Sequence, residues 1–553
     1  MKAQLFPASV LFLASMAHAQ TGDRPAEGAK LGRSPVLATR GMVAASQPLA
    51  ATAGLRVLQE GGNAIDAAIA TAAVLNVVEP MMCGIGGDLF ALVYHAESGK
   101  LYGLNATGRG GSLSSPEKMR EMGYERMPGS GITAVTVPGA LHGWEELRSR
   151  FGTRPLGELL EPAIYYAENG FPVSQIIATD WHDAEDKLSR QDAAAKTYLI
   201  DGRAPRHGEI FRSPDLARTF RIIARDGVEV FYRGEIASAI ADFIQKEGGF
   251  VTLEDLASHH SDWVEPISTT YKDVTVYTIP PNSQGFVALE MLNLLEDLDV
   301  GSLEHNSAEY LHLLIEAKKL AFADRDAYLA DPTKAKMPLD QLISKPYAAK
   351  RRALIDRDHA ADEVAPGTVE VTDTVYLTVV DEARNAVSLI YSLFSSFGSG
   401  LVVPETGIML HNRGTGFSLE PGHPNVLAPG KRPLHTNMPG MAFKNGRPWL
   451  SYGVMGGDMQ PQGHTQVLLN RIEFGMNVQE AGEMARFRHL SGRSVGIESG
   501  VGVEVLQELI AKGHRPTTIM GAYGGYQAIE IDWERGVLLG GSDRRKDGAA
   551  VGY

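Results

Sequence analysis

The sequence predicts an α/β protein in which β-sheets stack between helices. Three observations carry this expectation. Ser46–Pro80 repeats its apolar residues at helix spacing. A β-rich hairpin begins at Thr374. Later pieces of the same kind, GMAFKNGRPWLSYGVM and YQAIEIDWERGVLLGGSD, supply enough strands for stacked sheets with helical cover.

Within the first stretch Leu55, Leu58, Ala67, Ala70 and Leu75 mark a helical face, and Gly61-Gly62-Asn63 divides it in two. CGIGGDLFALVYH follows, a glycine turn opening an alternating strand. A phosphate-cradling glycine loop follows a strand and opens a helix; the order here is the reverse, so nucleotide binding is rejected. Residues 155–330 read mainly as helices with polar connections, the longest spanning Ser307–Ala330. Asp356–Asp373 is polar, contains Pro366-Gly367 and has no periodicity, which predicts an exposed loop. TVYLTVVD then alternates, turns through Glu382–Asn385 and returns as AVSLIYSLF.

The 553 residues carry a net charge of −14, which argues against a nucleic-acid partner, because phosphate binding needs clustered cations. At the N-terminus Lys2, the apolar run Ala8–Met16 and Ala17-His18-Ala19 have the layout of a secretory leader. Residues 1–19 are therefore expected to be removed, and the product to be periplasmic or secreted. No later apolar run is long enough for a bilayer span, so no membrane association is expected. Cys83 is the only cysteine, which excludes an intrachain disulfide. Its apolar neighbours Met81, Met82 and Ile85 predict an inert buried thiol. Histidines occur singly or as His259-His260, whose side chains diverge on any regular element, and no HExxH occurs. No metal or cofactor is expected.

No GxSxG is present, so a nucleophile-elbow serine is missing. Another way to activate a hydroxyl is a threonine whose own α-amine is the base, with an ordinary pKa of about 7.7–8.0. That design needs an internal cut between a loop and a strand, and Asp373-Thr374 has this setting. A threonine at a strand start also commonly reflects β propensity, so the residues of this junction do not by themselves single out the threonine-nucleophile reading.

Several blocks strengthen it: GMVAASQPLAATAGLRVLQEGGNAIDAAIATAAVLNVVEP, GIGGDLF, TVPGALHGWEEL, EAKKLAFADRDAYLADP, DTVYLTVVDEARNAVSLIYSLFSSFGSGLVVPETGIMLHN, KRPLHTNMP and GVMGGDMQPQGHTQ. In this order they resemble the gamma-glutamyltransferase family of N-terminal nucleophile hydrolases, nearly end to end after the leader. The resemblance implies a four-layer αββα sandwich that cuts itself into a large chain, 20–373, and a small chain, 374–553. It implies Thr374 as nucleophile, Gly456 and Gly457 as oxyanion donors, and Ser392 as the hydroxyl that orients the nucleophile. It also implies that the two chains remain together as a heterodimer.

Other positions depart from the family pattern. His435-Thr436 stand where a serine pair binds the substrate's α-carboxylate. Gly416 stands at the place of an aspartate that holds the glutamyl α-ammonium, with Arg413 nearby. Arg109 is a displaced counterpart of the family's carboxylate-binding arginine. The segment Gly422–Lys431 is short where many relatives carry a longer lid, and a less covered pocket admits bulkier groups. Two enzymatic readings follow: hydrolysis or transfer of γ-glutamyl compounds such as glutathione, or an acylase for glutaryl-like, β-lactam side-chain or other small amides. A non-catalytic periplasmic binding protein is a third, and it would have no use for Thr374 or the glycine pair.

Overall fold

The computed structural model describes residues 32–362, 373–517, 519 and 521–553. The expected leader, 1–19, lies outside the described residues, as does most of the polar stretch before Asp373. Among the described residues no helix is long and apolar enough to cross a membrane.

The expected break at Gly61–Asn63 separates helices Pro48–Gln59 and Ala64–Val78. Asn63 caps the second through a reciprocal pair of bonds with Asp66, satisfying N–H groups that the helix itself cannot. Ala64–Val78 is mostly apolar and buried all round. The hairpin at Thr374 joins Asp373–Val380 to Ala386–Phe394 across the expected turn.

Two seven-stranded sheets form the centre. One runs Ala549–Gly552, Met42–Ala45, Asp373–Val380, Ala386–Phe394, Asp88–His95, Lys100–Ala106 and Asp262–Val264. The other runs Val36–Ala38, Val537–Ser542, Tyr526–Asp532, Arg447–Val454, Gly440–Lys444, Val274–Thr278 and Ile267–Tyr271. All pairings within both are antiparallel.

Side-chain alternation sorts the strands into layers. Val375, Leu377 and Val379 pack with Leu89, Ala91 and the Ala64–Val78 helix, on the outer face of the first sheet. Tyr376, Phe90 and Ile390 point the other way, against Met441, Met455 and Ile529 of the second sheet. Beyond that sheet, helices Gly285–Leu295, Ala308–Tyr328 and Met459–Ile472 complete the stack. The result is helix, sheet, sheet, helix. Thr378 and Ser451 hydrogen-bond across the central layer at 2.6 Å.

Residues 155–330 are mainly helical as expected, but Ile267–Tyr271 and Val274–Thr278 form a hairpin at the edge of the second sheet. Its turn places Lys272 at φ 51, a left-handed conformation usually marked by glycine or asparagine. The usual sequence marker of a tight turn is therefore missing. Cys83 is buried, and burial raises its thiol well above the ordinary range.

Candidate active site

Thr374 sits in an interior strand of the first sheet, where the register slips. Asp373 pairs with Phe394 but Val375 pairs with Tyr391, so Ser392 and Leu393 together face the single residue Thr374. Such a bulge re-aims side chains locally. The Thr374 hydroxyl lies 3.3 Å from Ser392 Oγ and 3.4 Å from Asn437 Oδ1. Both contacts are longer than the usual O–H···O bond of about 2.7–2.8 Å, so the hydroxyl is placed but not locked. Thr374 is 2% exposed.

Ser392 Oγ accepts the Phe394 N–H at 2.7 Å and an Arg413 Nη2 hydrogen at 3.4 Å. Arg413 is fully buried, in a short 3-10 turn, with Nη1 3.3 Å from Thr436 Oγ1 and its guanidinium 4.3 Å from the Phe394 ring centre. Burial brings its pKa down to about 9, against the pull of Asp88, and it remains protonated at neutral pH. His435, also fully buried, accepts the Asn437 N–H on Nδ1 and lies edge-on to Phe90. Burial first, then the Arg413 charge, lowers it to about 3, so it is neutral.

Gly456 and Gly457 turn the chain from strand Arg447–Val454 into helix Met459–Ile472. Their φ angles are 117° and 57°, which L-residues with side chains rarely adopt. Among the described residues neither N–H donates to a protein acceptor. Two N–H groups at a helix N-terminus suit an anion, through the bonds and the helix dipole together. Gln284 ties this turn to the rest: its Nε2 donates to Thr436 O at 2.8 Å and Gly457 O at 3.0 Å. Its Oε1 accepts from Arg325, which also holds Asp458 at 2.6 Å.

That partly buried ion pair gives a stability prediction. Arg325→Met removes the partner of Asp458, whose side chain is 19% exposed, so the loss should be about 1–3 kcal/mol, less than for a fully buried pair. The urea midpoint of the variant should fall accordingly; an unchanged midpoint would contradict the role.

The structure thus brings Thr374, Ser392, Arg413 and Thr436 into one chain of contacts, with Gly456-Gly457 joined through Gln284. Gly416 lies three residues beyond Arg413 in the same turn. A Cβ there would stand 2.6 Å from the Leu434 carbonyl oxygen, so the backbone itself excludes a side chain. Arg109 is engaged elsewhere, by Asp262 at 3.2 Å and by the His260 carbonyl at 3.2 Å. Asp88, His411 and Asn437 were not singled out from the sequence. Asp88 does leave a trace there, as a carboxylate opening the otherwise apolar strand DLFALVY.

Among the described residues one group has donor atoms close enough for a cation: His312, Glu316 and His514. Those atoms already serve one another and Lys319. His312 Nδ1 and His514 Nε2 are 2.8 Å apart, and Lys319 Nζ lies 2.7 Å from Glu316. The Lys319 ammonium thus already neutralises the carboxylate of this cluster.

The gamma-glutamyltranspeptidase family model matches residues 50–553. A glutathione hydrolase-like proenzyme of Bacillus subtilis is 40% identical over 94% of this chain and 99% of its own. An acylase proenzyme of a Pseudomonas species, strain SE83, is 36% identical over 94% of each chain. A cephalosporin acylase from Bacillus halodurans superposes with a TM-score of 0.90 at 45% identity, covering 97% of this chain and 99% of that one. The four-layer core, the end-to-end family match and these relatives agree: the chain belongs to the gamma-glutamyltranspeptidase family of self-processing enzymes.

Proposed function

We propose that this protein is an acylase-like amide hydrolase that cuts itself between Asp373 and Thr374 and then uses Thr374 as nucleophile. The observation that carries the reading is the placement of the Thr374 hydroxyl between Ser392 and Asn437, beside the buried Arg413. In the matured enzyme Thr374 Oγ attacks the amide carbonyl carbon while the new α-amine takes the hydroxyl proton. The Gly456 and Gly457 N–H groups stabilise the oxyanion. Collapse breaks the C–N bond, the α-ammonium returns its proton to the departing amine, and water then hydrolyses the acyl-threonine ester. No step calls on a cofactor. The large chain, 20–373, and the small chain, 374–553, remain a heterodimer because strands of both interleave in each sheet. The leader-like residues 1–19 support export to the periplasm or beyond.

The acyl pocket favours the acylase reading over a glutathione specialist. A γ-glutamyl donor and a glutaryl donor differ only by an α-ammonium. Gly416 offers that ammonium no carboxylate and cannot be given one without moving Leu434, while Arg413 presents a positive charge. A carboxylate facing the ammonium would contribute roughly 1.5–3 kcal/mol, or about 10- to 100-fold in preference. The expected result is that kcat/KM for glutaryl-anilide at least equals that for γ-glutamyl-anilide. A γ-glutamyl preference above about 30-fold would refute the reading.

A further inference from the structure

Three buried donor groups converge on one oxygen next to this site. Asp88 opens strand Asp88–His95, and its Oδ1 accepts the Gly108 N–H at 2.9 Å. Around its Oδ2 lie His411 Nδ1 at 3.3 Å, His435 Nε2 at 3.5 Å and Arg413 Nε at 3.9 Å. All four side chains are fully buried. Each approach is longer than the ~2.7–2.9 Å of a charge-assisted bond, and none has hydrogen-bond geometry.

Counting protons fixes the charge of the group. His411 Nε2 lies 2.9 Å from the Thr136 carbonyl oxygen, which can only accept, so Nε2 carries a hydrogen. A neutral His411 would then turn a bare Nδ1 lone pair toward Asp88 Oδ2 at 3.3 Å. Two lone pairs facing each other repel, so one proton belongs between them. Asp88 and His411 together are then neutral, whichever of them holds it. His435 accepts a backbone N–H on Nδ1 and, being neutral, points its Nε2 hydrogen at Asp88. The charge left over is that of Arg413, whose Nη groups reach, among the described residues, the hydroxyls of Thr436 and Ser392. A buried cation without a net counter-charge is costly unless a ligand supplies the anion. Among the described side chains Asp88 is the one carboxylate within 4.0 Å of it.

We propose that Asp88 and His411 share one proton as a neutral positioning pair, leaving Arg413 as the specificity-determining receptor for a carboxylate at the far end of the acyl group. The substrate class is the half-amide of a short dicarboxylic acid, since Ser392 alone bridges the guanidinium and the Thr374 hydroxyl. This rests on the reading of Thr374 as nucleophile. It also assigns carboxylate recognition away from Arg109, which Asp262 and His260 hold. Burial by itself would raise Asp88, yet His411 and His435 beside it hold it well below the usual carboxylate range.

The test compares glutaryl-p-nitroanilide with valeryl-p-nitroanilide, equal in chain length but without the terminal carboxylate, on the matured enzyme. The wild type should prefer the glutaryl donor by roughly 10- to 100-fold, and Arg413→Gln should bring the ratio near one, chiefly through KM for the charged donor. Asp88→Asn should keep the ratio within about threefold of wild type, because the amide N–H donates to His411 Nδ1 where the shared proton lay. If Asp88 were instead a bare carboxylate neutralising Arg413, Asp88→Asn would unmask the charge and raise the ratio about tenfold, overturning the proposal. A proton spectrum of the intact wild type provides a second readout should that variant fail to mature. Exchangeable protons on both ring nitrogens of His411, lost in His411→Gln, are expected, and a His411 ring with a single such proton beside an ionised Asp88 would contradict the shared proton. Turnover of neither donor by the wild type would instead remove the underlying assignment of Thr374.

Discussion

Thr374→Ala should abolish both self-cleavage and turnover, with a loss of about 10⁵-fold or more in kcat, because one hydroxyl serves both reactions. The neighbouring groups cannot replace it. Ser392 Oγ already accepts from the Phe394 N–H and from Arg413. It also lies within a strand, with no α-amine beside it to act as base. Thr374→Ser keeps the hydroxyl and should retain part of each activity, losing mainly the rotamer restriction of the β-branched side chain. Electrophoresis of freshly purified variants reads cleavage, and an anilide assay reads turnover. An alanine variant that matures at the wild-type rate would place the nucleophile elsewhere.

Gly456→Ala should reduce kcat by about 10²–10³-fold, the usual loss when an oxyanion donor is misplaced. The substitution deletes no donor. It adds a Cβ where φ is 117°, a backbone conformation that L-residues avoid. The turn must rotate, and the N–H groups at the start of helix Met459–Ile472 lose their aim. Packing is a lesser matter, because the nearest atom to the new Cβ would be Gly524 Cα at 3.3 Å. KM should change much less than kcat, since the oxyanion exists only in the transition state. Equal losses in binding and turnover would show that the variant disrupts the pocket instead.

The sequence reveals local structure best where a residue type has one dominant use. Gly61–Asn63 could hardly continue a helix, and Asn63 caps the next one. The hairpin after Thr374 has clean alternation on both arms. Stacked sheets under helical cover were legible from the number of strands, but the four-layer order came only through the family resemblance, because strands buried on both faces give no cue to which face meets helices. The edge hairpin at Ile267–Thr278 was missed because Lys272 adopts the turn conformation without a glycine.

The site shows the same division. Thr374, Ser392 and the Gly456-Gly457 turn stand in motifs whose order the resemblance carries. Asp88 and His411 acquire meaning only in space. They are separated by more than three hundred residues and meet because the chain beyond strand Ala386–Phe394 returns to the start of strand Asp88–His95. Arg109 illustrates the converse. It is plausible in sequence, yet its guanidinium is occupied by Asp262 and His260.

The central claim is that the chain becomes an enzyme by cutting before Thr374. N-terminal sequencing of the smaller band of the purified, active protein tests it most directly. The account predicts that this band begins TVYLT and runs to Tyr553. An active protein that remains one intact chain, or a small chain beginning at any other residue, would contradict it.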